Sequence, residues 1–171
     1  MHRLWNPISL ALIMLSLPWG AAPGFAQQPA KDLDLVPFQA AYIVSSQLIS
    51  VPVAPPIVAQ PGTLTGQSDL LGPFTGVALA NIQLGVDGTR LFNTVVGLWT
   101  AANGDTLSVR LTNLFLPQTA PGAPVFQGAF TISNGTGRFL GATGSGFSKG
   151  TFDPKTGAVT VSLDGLITRP K

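Results

Sequence analysis

The sequence predicts an all-β protein: a closed antiparallel barrel of about eight strands that follows an N-terminal signal segment. Three observations carry this. Charged residues make up only 9% of the 171, and glutamate is absent. A helical soluble protein ordinarily places Glu and Lys on its exposed faces; Thr, Val, Gly and Ser stand there instead, as sheets prefer. Beyond residue 30 no window has a helical period, whereas apolar residues alternate in strand-length runs separated by turn residues at near-even spacing. Finally, six glycines fall between Gly135 and Gly150 in the stretch NGTGRFLGATGSGFSKGTFD (134–153), with Arg138, Phe139, Phe147 and Phe152 set among them. Glycines inside strands mark bulges, bends or close backbone approach, and a small barrel needs such points to turn its corners.

The N-terminus is read first as a targeting segment. His2 and Arg3 open it, Ile8 to Leu17 is apolar apart from two serines, and Pro18, Gly20 and Pro23 follow. Small residues Gly24 and Ala26 flank Phe25 at the spacing a signal peptidase accepts, so cleavage is expected after Ala26 and the mature chain is expected to be exported, periplasmic or secreted. The apolar core is too short for a retained bilayer anchor, so no stable membrane span is expected after cleavage. No cysteine stands at the boundary, which rules out lipoprotein processing, and none stands elsewhere to form a disulfide. Loss of the leader removes both methionines, the single histidine and two of the three tryptophans. Eight basic residues then face seven aspartates, a net charge of +1. The basic residues are scattered, whereas nucleic-acid binding needs a patch, so no nucleic-acid partner is expected.

Three segments are expected: the signal peptide (1–26), N-terminal strands with a proline-rich arm (27–60), and the barrel body (61–171). Within them, Leu35 to Val44 and Gln47 to Val53 have the look of strands. Pro52, Pro55, Pro56 and Pro61 crowd the next stretch; proline cannot donate to a ladder, so this is an edge, a crossing, an extended arm or an oligomer contact. Gly62 to Asp69 is a short polar strand. Phe74 to Leu84 alternates Phe74, Gly76, Ala78, Ala80 and Ile82 against Thr75, Val77, Leu79, Asn81 and Gln83. Asp87-Gly88 and Asn103-Gly104-Asp105 are hairpin signals on either side of a strand from Leu91 to Ala101. Thr106 to Leu116 sets Leu107, Val109, Leu111 and Phe115 against Ser108, Arg110 and Thr112. Pro117 to Pro124 is a loop, Val125 to Ser133 a strand, Asp153 to Gly157 a turn, and Ala158 to Thr168 the last strand.

A glycine-rich run also suits a phosphate loop. Here Gly146 precedes Phe147 and Lys149 precedes Gly150, so the Lys-Ser/Thr ending of a P-loop is missing, and no helix follows Gly135-Thr136-Gly137 to supply a dipole. The tight-turn reading fits better, with Gly135 and Gly137 free to take positive φ. Phe130-Thr131-Ile132, then Asn134-Gly135-Thr136-Gly137-Arg138-Phe139, then Gly141-Ala142-Thr143-Gly144 resembles the GGTG-x-F-x-x-A-x-G signature of dirigent proteins and the allene oxide cyclase barrel superfamily. Phe74-Thr75-Gly76 and Asp153 to Gly157 fit its secreted bacterial members. The resemblance covers about residues 60 to 169. It implies a calycin-like barrel of eight antiparallel strands with a ligand cavity at one end, often trimeric, so that a homodimer or homotrimer is open here. The family's cavity arginine falls at Thr143, and the cavity glutamate of plant cyclases has no counterpart, so no catalytic residue carries over.

Chemistry has few candidates. Without His, Cys or Glu in the mature chain, the usual bases, thiol nucleophiles and zinc ligands are missing, and no metal or other cofactor is expected. Asp87, Asp105 and Asp153 belong to turns that need them, and Asp164, before Gly165, fits the same role. Asp69 and Arg110 remain as catalytic candidates, although a pair of this kind is more often a structural ion pair or a solvated surface contact than a site. Tyr42, Arg90 and Trp99 are ligand-binding candidates, though packed aromatics with a hydrogen-bonded tip are the better fit for Tyr42 and Trp99. Arg138 is expected to tie down carbonyls of the glycine turn, whose structural members are Gly135, Gly137, Arg138, Phe139, Gly141, Gly144 and Gly146. Two functions follow. One is a non-catalytic barrel binding a small apolar molecule or a partner. The other is a cyclase or isomerase that steers a reactive intermediate by confinement. A large cavity with Asp69 or Arg110 pointing inward would favour the second; a barrel filled by side chains would remove both.

Overall fold

The structure, a computed structural model, describes residues 34–46, 51–54 (backbone), 57–117, 122–168 and 170. The expected leader and the start of the second expected strand lie outside the described residues. The strands are β1 (Leu35–Ser46), β2 (Val51–Ala54), β3 (Ile57–Ser68), β4 (Gly72–Leu84), β5 (Arg90–Ala101), β6 (Thr106–Phe115), β7 (Val125–Gly135), β8 (Gly144–Phe152) and β9 (Ala158–Thr168). The only helical element among the described residues is a 3₁₀ turn, Gly137–Phe139.

Every neighbouring pair is antiparallel, in the order β1-β9-β8-β7-β6-β5-β4-β3-β2. β1 then pairs a second time, with β3, from Ala40↔Ser68 to Ser46↔Gly62. That second ladder closes eight strands into the predicted barrel, with β2 as a short extra strand on β3. Closure leaves β1, β3 and their neighbours no free edge over the paired length. The proline puzzle resolves in the same registers. β3 faces β1 along residues 62–68 and β2 along 57–59. Pro61, which has no N–H to donate, falls in the gap between them. Pro37 likewise sits in β1 before its pairing with β3 begins. The boundary expected at residue 60 coincides with no break, since β3 runs through it and β1 is a barrel stave.

Alternation decides what goes inside. Phe74 and Ile82 are buried on β4, and Leu107, Val109, Leu111 and Phe115 on β6, while the alternate residues Thr75, Val77, Leu79, Asn81 and Gln83 on β4 and Arg110, Thr112 and Leu114 on β6 face out. One half of the interior is aromatic. Phe74 stacks on Trp99 at 4.5 Å and 10°, Tyr42 meets Trp99 edge-on at 5.0 Å, and Phe38 lies 5.8 Å from Phe130. These rings are all but fully buried, and such pairs add about 0.5–1.5 kcal/mol each beyond their burial.

The rings fit because glycines face them. Phe130 pairs with Gly146, and Gly146 with Gly165 on the next strand. A side chain at Gly146 would meet the Phe130 ring at 2.6 Å, and one at Gly165 would meet it at 2.9 Å. Phe126 lies over Gly150 in the same way. The β8 glycines thus mark close approach, one of the roles the sequence suggested, and leave flat floor for large side chains, while the β8 register stays regular on both sides.

The connection from β7 to β8 closes the aromatic end. Gly137 takes φ 57°, but Gly135 does not take positive φ; it is buried where a side chain would strike Phe139. The 3₁₀ turn drives Phe139 into the core, fully buried beside Leu107, Ala142 and Ile167. Asn134 Oδ1 accepts from the Gly141 amide at 3.1 Å, and Thr143 and Thr168 exchange two hydrogen bonds across the end. Arg138 ties down no carbonyl: its Nε lies 3.3 Å from Asp105 Oδ2. The N–H is not aimed at that oxygen, so the contact is ionic without a hydrogen bond and, half exposed, contributes under about 1 kcal/mol.

Gly146→Ala is expected to cost about 3 kcal/mol, the upper end of overpacking, because its new methyl group meets both the Phe130 ring and the Gly165 backbone. Ser145→Ala, next door on the outer face, is expected to stay within about 0.5 kcal/mol. Urea denaturation of the two variants checks the contrast; equal stability would contradict the packing role.

Candidate functional site

The opposite end of the barrel is not filled. Between the ends of β1, β4, β6 and β8 and the starts of β3, β5, β7 and β9 lies a cavity of about 50 Å³. Its walls include Val44, Ala78, Ala80, Ile82, Leu111 and Val161, with Tyr42 towards the aromatic half. A space of that size holds about three or four water-sized bodies, well below the roughly 300 Å³ of an ordinary ligand pocket. The two alanines, where neighbouring rows carry larger side chains, are what leave it open.

Arg90 lies across the mouth. Its guanidinium carbon sits 3.9 Å from the centre of the Phe152 ring, and Nη1 donates to Gln60 Oε1 at 3.3 Å. Gln60 is fixed in turn: its Nε2 donates to Ser46 Oγ at 2.8 Å, and Ser46 Oγ donates to the Gly157 carbonyl at 2.6 Å. The chain Arg90–Gln60–Ser46–Gly157 therefore joins β5, β3, β1 and the β8–β9 turn over the opening. Burial alone pulls the Arg90 pKa below its ordinary value; the group remains a cation. Among the described residues the one ion pair is Arg138–Asp105, so no described carboxylate pairs with Arg90.

A β-bulge puts Arg90 there. Gln83 pairs with Phe92, but Leu84 pairs with Arg90, so the register slips by one. Phe92 keeps the outward row of Gln83 and Leu114, while Arg90 is turned to the row of Leu84 and Ile82. Re-aiming one side chain at a barrel rim is what such bulges do.

A second polar group runs along the wall. Asn93, Asn113, Gly128 and Ser148 are successive partners across β5, β6, β7 and β8. Asn113 Nδ2 donates to Asn93 Oδ1 at 2.9 Å, and Ser148 Oγ donates to Asn113 Oδ1 at 2.5 Å. Ser148 reaches over β7 because Gly128 has no side chain: a Cβ there would sit 2.8 Å from Asn113 Oδ1. All three polar residues are buried, and buried amides that satisfy each other avoid the cost of orphaned groups.

The residues expected from sequence divide between two places. Tyr42 and Arg90 both line the cavity. Trp99 is buried in the aromatic stack and does not line it. Asp69 lies exposed in the β3–β4 turn at the closed end, where Oδ1 accepts from the Gln39 amide and from Ser68 Oγ, both at 3.1 Å. Arg110 is exposed on the outer face of β6, between Val96 and Thr131. Asp69 and Arg110 are therefore not brought together, and neither points inward. Gln60, Asn93, Asn113, Ser148 and Phe152 were missed. Asn113 had a visible signal, since it continues the inward row Leu107, Val109, Leu111 as a polar member among core positions. Among the described residues no group of three acidic or His side chains could hold a metal.

Tyr42 is the chain's single tyrosine. Burial drives the pKa of its hydroxyl well above the ordinary value of 10.0. The folded state thus binds this proton more tightly than the unfolded state. Its stabilisation is complete below pH 10 and is lost as pH rises towards the folded pKa. Above pH 10 the wild type is expected to lose up to about 1.4 kcal/mol per pH unit relative to Tyr42→Phe. Parallel stability–pH curves for the two proteins would contradict the buried hydroxyl.

Comparison with protein-family models, with curated proteins and with solved structures finds no match.

Proposed function

We propose that this protein is an exported β-barrel that binds a small, largely apolar molecule at the Arg90 end. The observation that supports this most is the unequal filling of one closed interior. The half around Trp99 and Phe139 is packed with buried rings, whereas the half between Ala78, Ala80, Ile82, Leu111 and Val161 keeps a cavity of about 50 Å³. Packed interiors seldom keep voids larger than a water molecule, and an apolar cavity with a few convergent polar groups is the usual form of a ligand site. The volume sets a limit on the occupant: the end of a narrow molecule fits, and a drug-sized body does not.

Kinship with secreted bacterial members of the allene oxide cyclase and dirigent group belongs to the same proposal. The closed eight-stranded antiparallel barrel is in keeping with it, as is the position of Asn134 to Gly144 between β7 and β8. A cyclase or isomerase would use the same cavity. The described lining offers it a guanidinium, a phenol and amides for orientation, and confinement in place of a carboxylate base.

Native mass spectrometry of the protein purified from its own source is expected to show a small molecule retained by the wild type. Ala80→Leu, which fills the cavity, is expected to fold with equal or greater stability and to retain none. Wild type free of ligand under these conditions, or equal retention by Ala80→Leu, would overturn the assignment.

A further inference from the structure

We infer that the molecule bound at this end is a small organic carboxylate, with its apolar tail in the cavity and its carboxylate on Arg90. This rests on the cavity being a binding site. It adds the chemical class of the ligand and the residue that selects it.

Guanidinium groups carry five N–H donors in a planar fork that matches a carboxylate with two parallel hydrogen bonds. At Arg90 one described hydrogen bond uses that fork, to a neutral amide, at 3.3 Å. The face of the group is taken by Phe152, which leaves the edges as the remaining direction of approach. A half-buried cation without a counter-charge is costly, and structures ordinarily supply one. Here the aspartates nearest in sequence to Arg90 and to its ring partner Phe152 are engaged elsewhere: Asp87 accepts from both the amide and the hydroxyl of Thr89, and Asp153 from Lys155 and Thr156 within its own turn. Neither forms an ion pair with Arg90 among the described residues.

Arg90 is also held in place, which a merely solvated surface arginine would not be. Gln60 is buried, and its amide is oriented by Ser46, which is anchored on the Gly157 carbonyl. That orientation points Oε1 at Arg90 and fixes one arm of the fork. The cation–π contact with Phe152 fixes its plane. The bulge in β5 spends a residue of regular ladder to turn this one side chain to the rim. Behind the guanidinium the wall becomes aliphatic, with Val44, Ile82, Leu111 and Val161. A cationic fork at the mouth and a narrow apolar space behind it suit a short chain with one planar anionic end. An ammonium head would be repelled. A neutral alcohol would gain the tail contacts and leave Arg90 without its counter-charge.

Isothermal titration with pentanoate, pentan-1-ol and pentylamine separates the possibilities. Wild type is expected to bind pentanoate about 10- to 100-fold more tightly than pentan-1-ol, the range of a charge-assisted hydrogen bond in a partly buried site, and pentylamine most weakly. Arg90→Met, which keeps the length of the side chain, is expected to lose that preference and to keep its affinity for pentan-1-ol. A second measurement on the unaltered protein guards against a misfolded variant: the Arg90 Nε–H resonance is expected to shift on addition of pentanoate and to stay in place with pentan-1-ol. Equal affinity for acid and alcohol in the wild type, or an unmoved Arg90 resonance with pentanoate bound, would overturn the role of Arg90 and leave the apolar binding site standing. Binding of neither molecule would overturn the binding site itself. Inorganic phosphate competing as well as pentanoate would show an anion site indifferent to the tail, and would overturn the carboxylate assignment.

Discussion

The double pairing of β1 is the constraint on which the rest depends. Leu35–Ser46 is bonded to β9 along one side and to β3 along the other. Without the second ladder the eight strands would be an open sheet with two exposed edges, a hazard in a chain with so few charges to blunt them. With it, the paired strands satisfy one another's main chain, in a sequence that has no cysteine for a disulfide. Closure also fixes the interior volume. From that point the question at every inward position is how much space the side chain fills.

The two halves answer it differently. Around Trp99, large rings are accommodated by glycines on neighbouring strands, so that Phe130 lies over Gly146 and Gly165. Around Arg90, alanines and aliphatic residues leave space, and the polar groups present are organised: Asn93, Asn113 and Ser148 satisfy one another across the gap at Gly128, and Gln60 holds Arg90. A barrel built only for stability would have little reason to carry a cation over its own cavity.

Much of the architecture could be seen in the residues. The alternation in Phe74 to Leu84 and Thr106 to Leu116, the hairpins at Gly88 and Gly104, and the strand glycines 144, 146 and 150 all follow from local rules, and local rules are what a sequence displays. The barrel end near Gly137 was recognisable for the same reason, although Arg138 was assigned to carbonyls when its partner is Asp105. What could not be seen depends on neighbours far along the chain. The β5 bulge has no signature of its own, so Arg90 was a candidate without a known direction. The Ser148–Asn113 bond spans 35 positions and exists only because of the register of β7. Asp69 and Arg110 drew notice as charges in a chain nearly free of them, yet one caps a turn and the other faces solvent. Pro61 could be an edge, a crossing or a contact until the partners of β3 were known.

Native-state hydrogen exchange across the seam between β1 and β3 tests closure most directly. If the ladder is closed, hydrogen-bonded amides within 40–44 and 64–68 exchange only through global unfolding, as slowly as those at the centre of β6 and β7. Fast exchange along that seam, with the centre of the sheet still protected, would mean that the barrel opens there, and the closed interior with its cavity would not stand.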